Sequence, residues 1–405
     1  MQSLKKKLQL TSLALMLGLS FGTANAQAET GPVKIGVLGD LSGLYSAIGG
    51  KGLYDAARMA VEDFGGTLFG KPIEVLSFDT QNKVDVASSR ARQWFDVDGV
   101  DMVTDMPTSA IALAVSKLGE EKKKVVMVTS AASSDITGKA CTPYTVHWTY
   151  DTYALAVGTA AAVVKSGGKS WFFLSADYAF GQALQRDATQ VIESNGGKVV
   201  GAVAHPLNAP DFSSFILQAQ ASNADVIGLA NGGNDTTNSV KQAAEFGVTK
   251  SRQKVAALLA FLSDVKAMGL PLAQGLYLTE AFYWDQTPET RAWSERFYKR
   301  NGVMPTMNHA GTYGAVMHYL NAVKATGTKN ADKVMAQMRA TPINDFMTNN
   351  GKLRIDGRVV RDMHLYQVKT PAQSKGEWDL YNLVSTTPGD VAYRPLDKGG
   401  CPLVK

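Results

Sequence analysis

The stretch Ile35–Gly66, IGVLGDLSGLYSAIGGKGLYDAARMAVEDFGG, decides the reading of this chain. Ile35 to Leu38 form a short apolar run of strand length. The loop Asp40 to Gly50 follows, with Ser42, Gly43, Tyr45, Gly49 and Gly50. Leu53, Ala57, Ala60 and Phe64 then recur at the spacing that puts them on one face of a helix. A strand that runs through a small-residue loop into a helix is the unit of an open α/β sheet. Such sheets take ligands outside the carboxyl ends of their strands.

Working outward, the same alternation continues. After the first strand and its helix (Gly52 to Phe64) come a strand at Ile73 to Phe78, a helix at Val84 to Phe95, a strand at Asp101 to Thr104, a helix at Ser109 to Gly119 and a strand at Val125 to Val128. The series restarts at Trp171: strands Trp171 to Leu174, Val199 to Ala204, Val226 to Leu229 and Val255 to Leu259, with helices Gly181 to Ser194, Phe212 to Ser222 and Thr236 to Phe246 between them. Two doubly wound α/β lobes are predicted. Gly196-Gly197 and Gly247 suit left-handed helix ends, and Thr287-Pro288-Glu289 suits a helix start that closes at Asn301-Gly302. A helix at Gly311 to Lys324 and strands at Leu353 to Ile355 and Arg361 to Val368 complete the pattern. No linker separates the halves, so the chain is expected to cross between lobes more than once.

The chain opens with Lys5, Lys6 and Lys7, an apolar run Leu13 to Leu19 and Ala24-Asn25-Ala26, the three parts of an export signal with cleavage expected after Ala26. The apolar run is too short to span a bilayer, no later segment offers a membrane span, and no cysteine stands near the cleavage site to take a lipid. The 405 residues carry 41 Lys+Arg and 36 Asp+Glu, a charge of +5; losing three lysines leaves 38 against 36, or +2, which gives no support to nucleic-acid binding. The mature chain of about 380 residues is long for one core and suits two lobes. Cys141 and Cys401, the only two cysteines, are expected to pair in an oxidising compartment and tie down the C-terminal tail.

Gly39-Asp40-Leu41-Ser42-Gly43, Glu62-Asp63-Phe64-Gly65-Gly66, Pro107-Thr108-Ser109, Thr129-Ser130-Ala131-Ala132 and Asp177-Tyr178-Ala179-Phe180-Gly181 occur in an order that resembles the type I periplasmic solute-binding proteins of ABC transporters, in the branched-chain amino acid binding group. The resemblance covers essentially the whole mature chain. It implies two lobes joined by three crossovers, near Trp148 to Thr152, Gly275 to Glu280 and Val359 to Leu365. The N-terminal lobe would take 33–149 with 279–358, and the C-terminal lobe 150–278 with 359–405. It further implies a periplasmic protein that closes on a small carboxylate and presents both lobes to a permease.

Site residues follow from the same resemblance. The serine matching Ser109 holds the ligand carboxylate, assisted by residues matching Ala131 and Ser133, and the aromatic matching Phe180 covers the ligand. Asn231 and Gly232 fall in a cleft segment where amino-acid binders often carry a tyrosine, so the glycines would leave room. Tyr45, Tyr150, Tyr153 and Tyr178 are further aromatic candidates. By sequence alone, Ser109 reads by default as a plain helix N-cap, and a lone Phe such as Phe180 after a strand is more often core. Amino-acid binders also place an acid after the strand matched by Val255 to Leu259, to pair the ligand ammonium. Here Leu259, Ala260, Phe261 and Leu262 stand there, with Asp264 beyond them, which favours an aromatic carboxylate over leucine or valine.

Rival classes find less support. An exported hydrolase would need a Gly-x-Ser-x-Gly elbow or a His-Glu-x-x-His helix in its mature chain, and neither occurs after Ala26; nor does a phosphate-binding or dinucleotide motif. No enzyme activity and no cofactor are expected. His147, His205, His309, His318 and His364 lack metal-ligand spacing, and Gln81 and Lys83 spoil a calcium loop around Asp79 and Asp85. A sensor that reports ligand occupancy to a receptor fits the same pattern as a transport component.

Overall fold

A computed structural model describes residues 31–248 and 251–405; the expected export signal and its expected cleavage after Ala26 lie outside them. The first sheet is parallel, with β1 (Lys34–Gly39), β2 (Glu74–Asp79), β3 (Met102–Asp105), β4 (Val125–Val128) and β5 (Thr145–His147) in the order β2-β1-β3-β4-β5. Its helices are α1 (Gly50–Phe64), α2 (Val84–Gln93), which runs on into a π-turn at Trp94–Asp98, and α3 (Ser109–Lys122). Ile35 lies opposite Met102 and Asp105 opposite Val128, so β1, β3 and β4 end level and their following loops open on one edge.

The second sheet repeats the plan with β6 (Ser170–Ala176), β7 (Lys198–His205), β8 (Val226–Ala230) and β9 (Lys254–Ala257) in the order β9-β8-β6-β7, all parallel. Helices α4 (Ala179–Ser194), α5 (Ser213–Ala221) and α6 (Asn234–Glu245) connect them, and α7 (Leu262–Met268) follows β9. Burial explains why both sheets are so apolar: Val226 to Ala230 and Val125 to Val128 are buried throughout, as strands covered on both faces must be.

Between these sheets the chain pairs antiparallel strands β10 (Tyr277–Glu280), β11 (Met363–Val368) and β12 (Tyr381–Thr387). Helices α8 (Pro288–Asn301), α9 (Met307–Thr326) and α10 (Ala331–Ala340) come between β10 and β11 in sequence but return to the first lobe, where α9 lies against α1. That approach is close because Gly52 has no side chain: a Cβ there would meet His309 Nε2 at 2.5 Å. Thr287 opens α8 in a capping box with Thr290, and Gly302 closes it in the left-handed conformation. Gly196 and Gly247 also adopt positive φ after their helices, as their sequence suggests.

Three differences from the sequence reading have physical causes. A helical run over 152–165 follows the first crossover; its alanines and valines show no polar face because nearly all of it is buried. The strand expected at Val255 to Leu259 ends at Ala257, and the remaining apolar residues leave the sheet toward the other lobe. The helix expected from Gly311 begins at Met307, with Thr306 as N-cap and His309 in the third position.

Cys141 and Cys401 are bonded as expected. The tail that carries Cys401 runs from β12 past Arg394, whose guanidinium is 2.6 Å from the buried Asp187 on α4. Asp187 also accepts from Ser134 and Thr152, each at 2.6 Å, and from Arg186 at 3.0 Å. One carboxylate thus gathers the loop after β4, the first crossover, α4 and the tail. An acid with no exposure is tolerated only with that many donors.

Candidate functional site

The carboxyl ends of both parallel sheets face one another, and the residues between them enclose about 430 Å³ not filled by protein, part of it open to solvent. From the first lobe come Asp40, Tyr45, Ile48, Pro107, Ser109, Ser130, Ala132 and Asn308; from the second come Tyr178, Phe180, Leu259 and Phe261, with Tyr150 at the crossover. Apolar residues of both lobes merge here in one buried cluster.

The wall from the first lobe is held rigidly. Asp40 accepts from the backbone N–H of Gly43 at 2.7 Å and of Tyr45 at 2.8 Å, and from the Asn82 amide, which fixes the turn that aims Tyr45. Thr306 donates to Ile48 O at 2.9 Å and His309 Nε2 lies 2.9 Å from Gly49 O, clamping the far end of the same loop. Burial lowers His309 to about 4, so the ring stays neutral near pH 7 and its Nε2–H donates.

Ser109 opens α3 directly after β3 and is buried. The Ser133 N–H donates to its Oγ at 3.1 Å, which leaves the Ser109 hydroxyl proton and the free N–H groups of the first helical turn for an anion. Ser133 itself caps the next turn, its Oγ accepting from Asp135 N–H at 3.3 Å. It lies behind Ser109 and does not line the cavity; Ala131 likewise sits between the lining residues Ser130 and Ala132.

Aromatic rings make up the rest. Tyr178 and Phe180 have centroids 5.9 Å apart, and Tyr150 meets Phe261 edge-on at 6.1 Å. Tyr153 is packed under Arg394 and is not among the lining residues. Gly232 and Gly233 do provide room, and side chains occupy it: a Cβ at Gly232 would stand 3.4 Å from Leu259, 3.7 Å from Phe180 and 3.9 Å from Tyr45, and one at Gly233 3.1 Å from Tyr45. Asn231 is turned into the second lobe, bonded to His205 at 3.1 Å, Ser239 at 3.2 Å and Thr236 at 2.8 Å.

Sequence reasoning missed Asn308, Ser130, Ala132, Ile48, Leu259 and Pro107 as lining residues. Asn308 had a signal: Thr306 and His309 mark a helix start that places it in the first turn.

Asp264 accepts from Phe261 N–H at 2.9 Å and caps α7. Burial pushes it up to about 7, and it does not line the cavity. Asp105 at the end of β3 is buried beside the Ser130 hydroxyl, and burial, only partly offset by that hydrogen bond, pushes it too up to about 7. Its backbone has φ +79° and that of Met106 +60°, a left-handed pair that turns the chain toward Pro107 and Ser109. Among the described residues no group of His, Cys, Asp or Glu could hold a metal, and no helix is long and apolar enough to cross a membrane.

Residues 32–377 match the Periplasmic binding protein family. This chain belongs to that family. A periplasmic binding protein from Burkholderia mallei is 49% identical, with a TM-score of 0.90 over 92% of this chain and 99% of that one. A branched-chain amino acid ABC transporter periplasmic ligand-binding protein from Burkholderia xenovorans is 40% identical, with a TM-score of 0.83 over 92% and 100%. An R. palustris ABC transporter solute-binding protein in complex with 4-hydroxybenzoate is 22% identical, with a TM-score of 0.79 over 89% and 98%; at that identity the likeness is one of fold. The fold is that of type I periplasmic binding proteins, and the protein is a periplasmic solute-binding component of an ABC transporter. The family is one of solute-binding proteins, not of enzymes.

Proposed function

We propose that this protein captures an aromatic carboxylate between its lobes and hands it to a membrane permease, without transforming it. The observation that carries this reading is the character of the lining. Tyr45, Tyr150, Tyr178, Phe180 and Phe261 surround the space, Ser109 offers a hydroxyl at a helix start, and the sole lining carboxylate, Asp40, is spent on three donors of its own lobe. A buried ammonium would lack an acid to pair with, whereas a flat ring meets aromatic faces and edges. The lobes proposed to close are 33–149 with 279–358 and 150–278 with 359–405. Ser109, Tyr45, Tyr150 and Phe180 would touch ligand; Ala131 and Ser133 would support Ser109 from behind, and Gly232 would admit Tyr45.

A branched-chain amino acid is the second reading, favoured by what the Burkholderia xenovorans relative is said to serve. A sensor role would use the same closure with a different listener. The test is a thermal-shift screen of refolded, ligand-stripped protein against benzoate and cinnamate derivatives and against aliphatic amino acids, since a ligand bound only by the native state raises the melting temperature. Shifts with the aromatic acids alone support the proposal; shifts with leucine or valine alone overturn it.

A further inference from the structure

The loop after β4 faces the cavity at one end and the second lobe at the other. Ser130 and Ala132 line the cavity, and the Ser133 N–H holds the Oγ of Ser109 at 3.1 Å. The next two residues turn to α4. Arg186 Nη1 lies 3.0 Å from the Asp135 carboxylate, and Arg186 Nη2 donates to Ser134 Oγ at 2.8 Å. The Ser134 hydroxyl in turn donates to Asp187 at 2.6 Å. Ser134 thus accepts from one residue of α4 and donates to the next, which fixes its hydroxyl in one orientation. Its N–H is taken by Thr152 Oγ1 at 3.0 Å. The same helix carries the lining residue Phe180 about two turns before Asp187, on the face that both share.

A half-exposed ion pair contributes little to stability by itself, so the value of this one lies in what it joins. Asp135 lies between β4 and β5 of the first sheet, and Arg186 between β6 and β7 of the second. Both acids keep a partner without Arg186: Asp135 has Lys139 at 3.2 Å, and Asp187 has Arg394 at 2.6 Å. Removing the guanidinium therefore strands no buried charge; it cuts the link between α4 and the loop. We infer that Arg186, which does not line the cavity, is a positioning residue for anion capture: from the second lobe it holds the 129–135 loop of the first where Ser130 and Ser109 meet the ligand. The anion-binding wall is then complete only with α4 docked against it. This rests on the carboxylate reading above and adds a residue that acts on that site from outside.

Hydrogen exchange of the ligand-stripped, full-length mature protein tests this without any ligand. Arg186→Met keeps the stem of a side chain that is 44% exposed, so the fold should hold. In that variant the amides of Ser133, Ser134 and Asp135 should exchange about threefold to tenfold faster than in the wild type, with those of β3 and β4 unchanged. Arg186→Lys keeps the charge without the fork and should restore part of the protection. Unchanged exchange in the loop would overturn the inference, and so would uniformly faster exchange throughout the chain, which marks lost stability in place of lost positioning. Calorimetric titration with benzoate adds the ligand: its affinity should fall about threefold to tenfold in Arg186→Met and recover in part in Arg186→Lys. Unchanged affinity beside a loosened loop would also overturn the inference. A wild type that binds leucine and ignores benzoate would overturn the aromatic-acid reading instead, and the exchange rates would then decide the role of Arg186.

Discussion

The phenolic oxygens of Tyr45 and Tyr178 lie 2.5 Å apart, joining the loop after β1 to the end of β6 across the cleft. Burial pushes both hydroxyls above the ordinary tyrosine range, so the bond is between neutral groups near pH 7. Under the closure proposed above, it would form only as the lobes approach. Tyr45→Phe keeps the ring and deletes the bond, worth about 0.5–1.5 kcal/mol. Apparent ligand affinity should fall about threefold to tenfold as the equilibrium moves toward the open form. Titration calorimetry measures it, and an unchanged dissociation constant would remove this pair from the closing machinery.

Ser109 has two duties, and Ser109→Ala separates them. The Ser133 N–H loses its acceptor, which should cost about 1 kcal/mol of stability in a denaturant titration. The carboxylate loses a donor, so affinity should drop about tenfold for an acid and much less for the matching neutral amide. Equal losses for acid and amide would mean that the serine only supports the loop.

Asp105 gives a pH prediction with a definite sign. Burial, opposed by a hydrogen bond from Ser130 and aided by the nearby Asp40, raises its carboxyl from 3.8 to about 7 in the folded protein, so the native state holds a proton that the unfolded chain releases. Its contribution to stability is full below pH 4 and is lost as the pH rises through 7, at a slope on the order of 1 kcal/mol per pH unit. Asp264, also raised to about 7, gives a slope of the same sign. Asp105→Asn, which tolerates the left-handed backbone, should therefore show a smaller fall in melting temperature between pH 5 and pH 8 than the wild type. An identical fall in both proteins would show that Asp105 does not titrate in this window.

The alternation of strands and helices was legible because buried parallel strands and amphipathic helices have distinct periods; Val125 to Val128 was read with its observed ends. Ser109 and Phe180, expected in the cleft from the family pattern, and Tyr45 and Tyr150, expected there from their place near the first loop and first crossover, all line the one cavity. What was not legible depends on contacts distant in sequence. Asn308 meets Tyr150 across more than 150 residues, and nothing local marks that meeting. Gly232 reads as empty space until Tyr45 arrives from the other lobe to fill it. The edge strand β12 escaped because Leu383 and Val384 are exposed, which blurs the alternation that marks a half-buried strand.

Replacing Cys401 by serine releases the tail from the loop after β4 while Arg394 can still reach Asp187. Stability should fall by about 2–4 kcal/mol, the usual worth of a bond that closes a long loop. Chemical denaturation of Cys401→Ser beside the wild type reads this, and equal midpoints would show that the Arg394–Asp187 pair alone holds the tail.

Cys401 follows every strand of the described residues in chain order, and its partner, Cys141, comes before the second parallel sheet begins. During export the earlier thiol reaches the oxidising side alone and stays unpaired until both lobes have emerged. Because the chain has only these two cysteines, no internal mispairing is open to it in the interval. The bond therefore works as a mark of completion: a chain truncated before its last turn would leave Cys141 as a single thiol with nothing in the same chain to pair with.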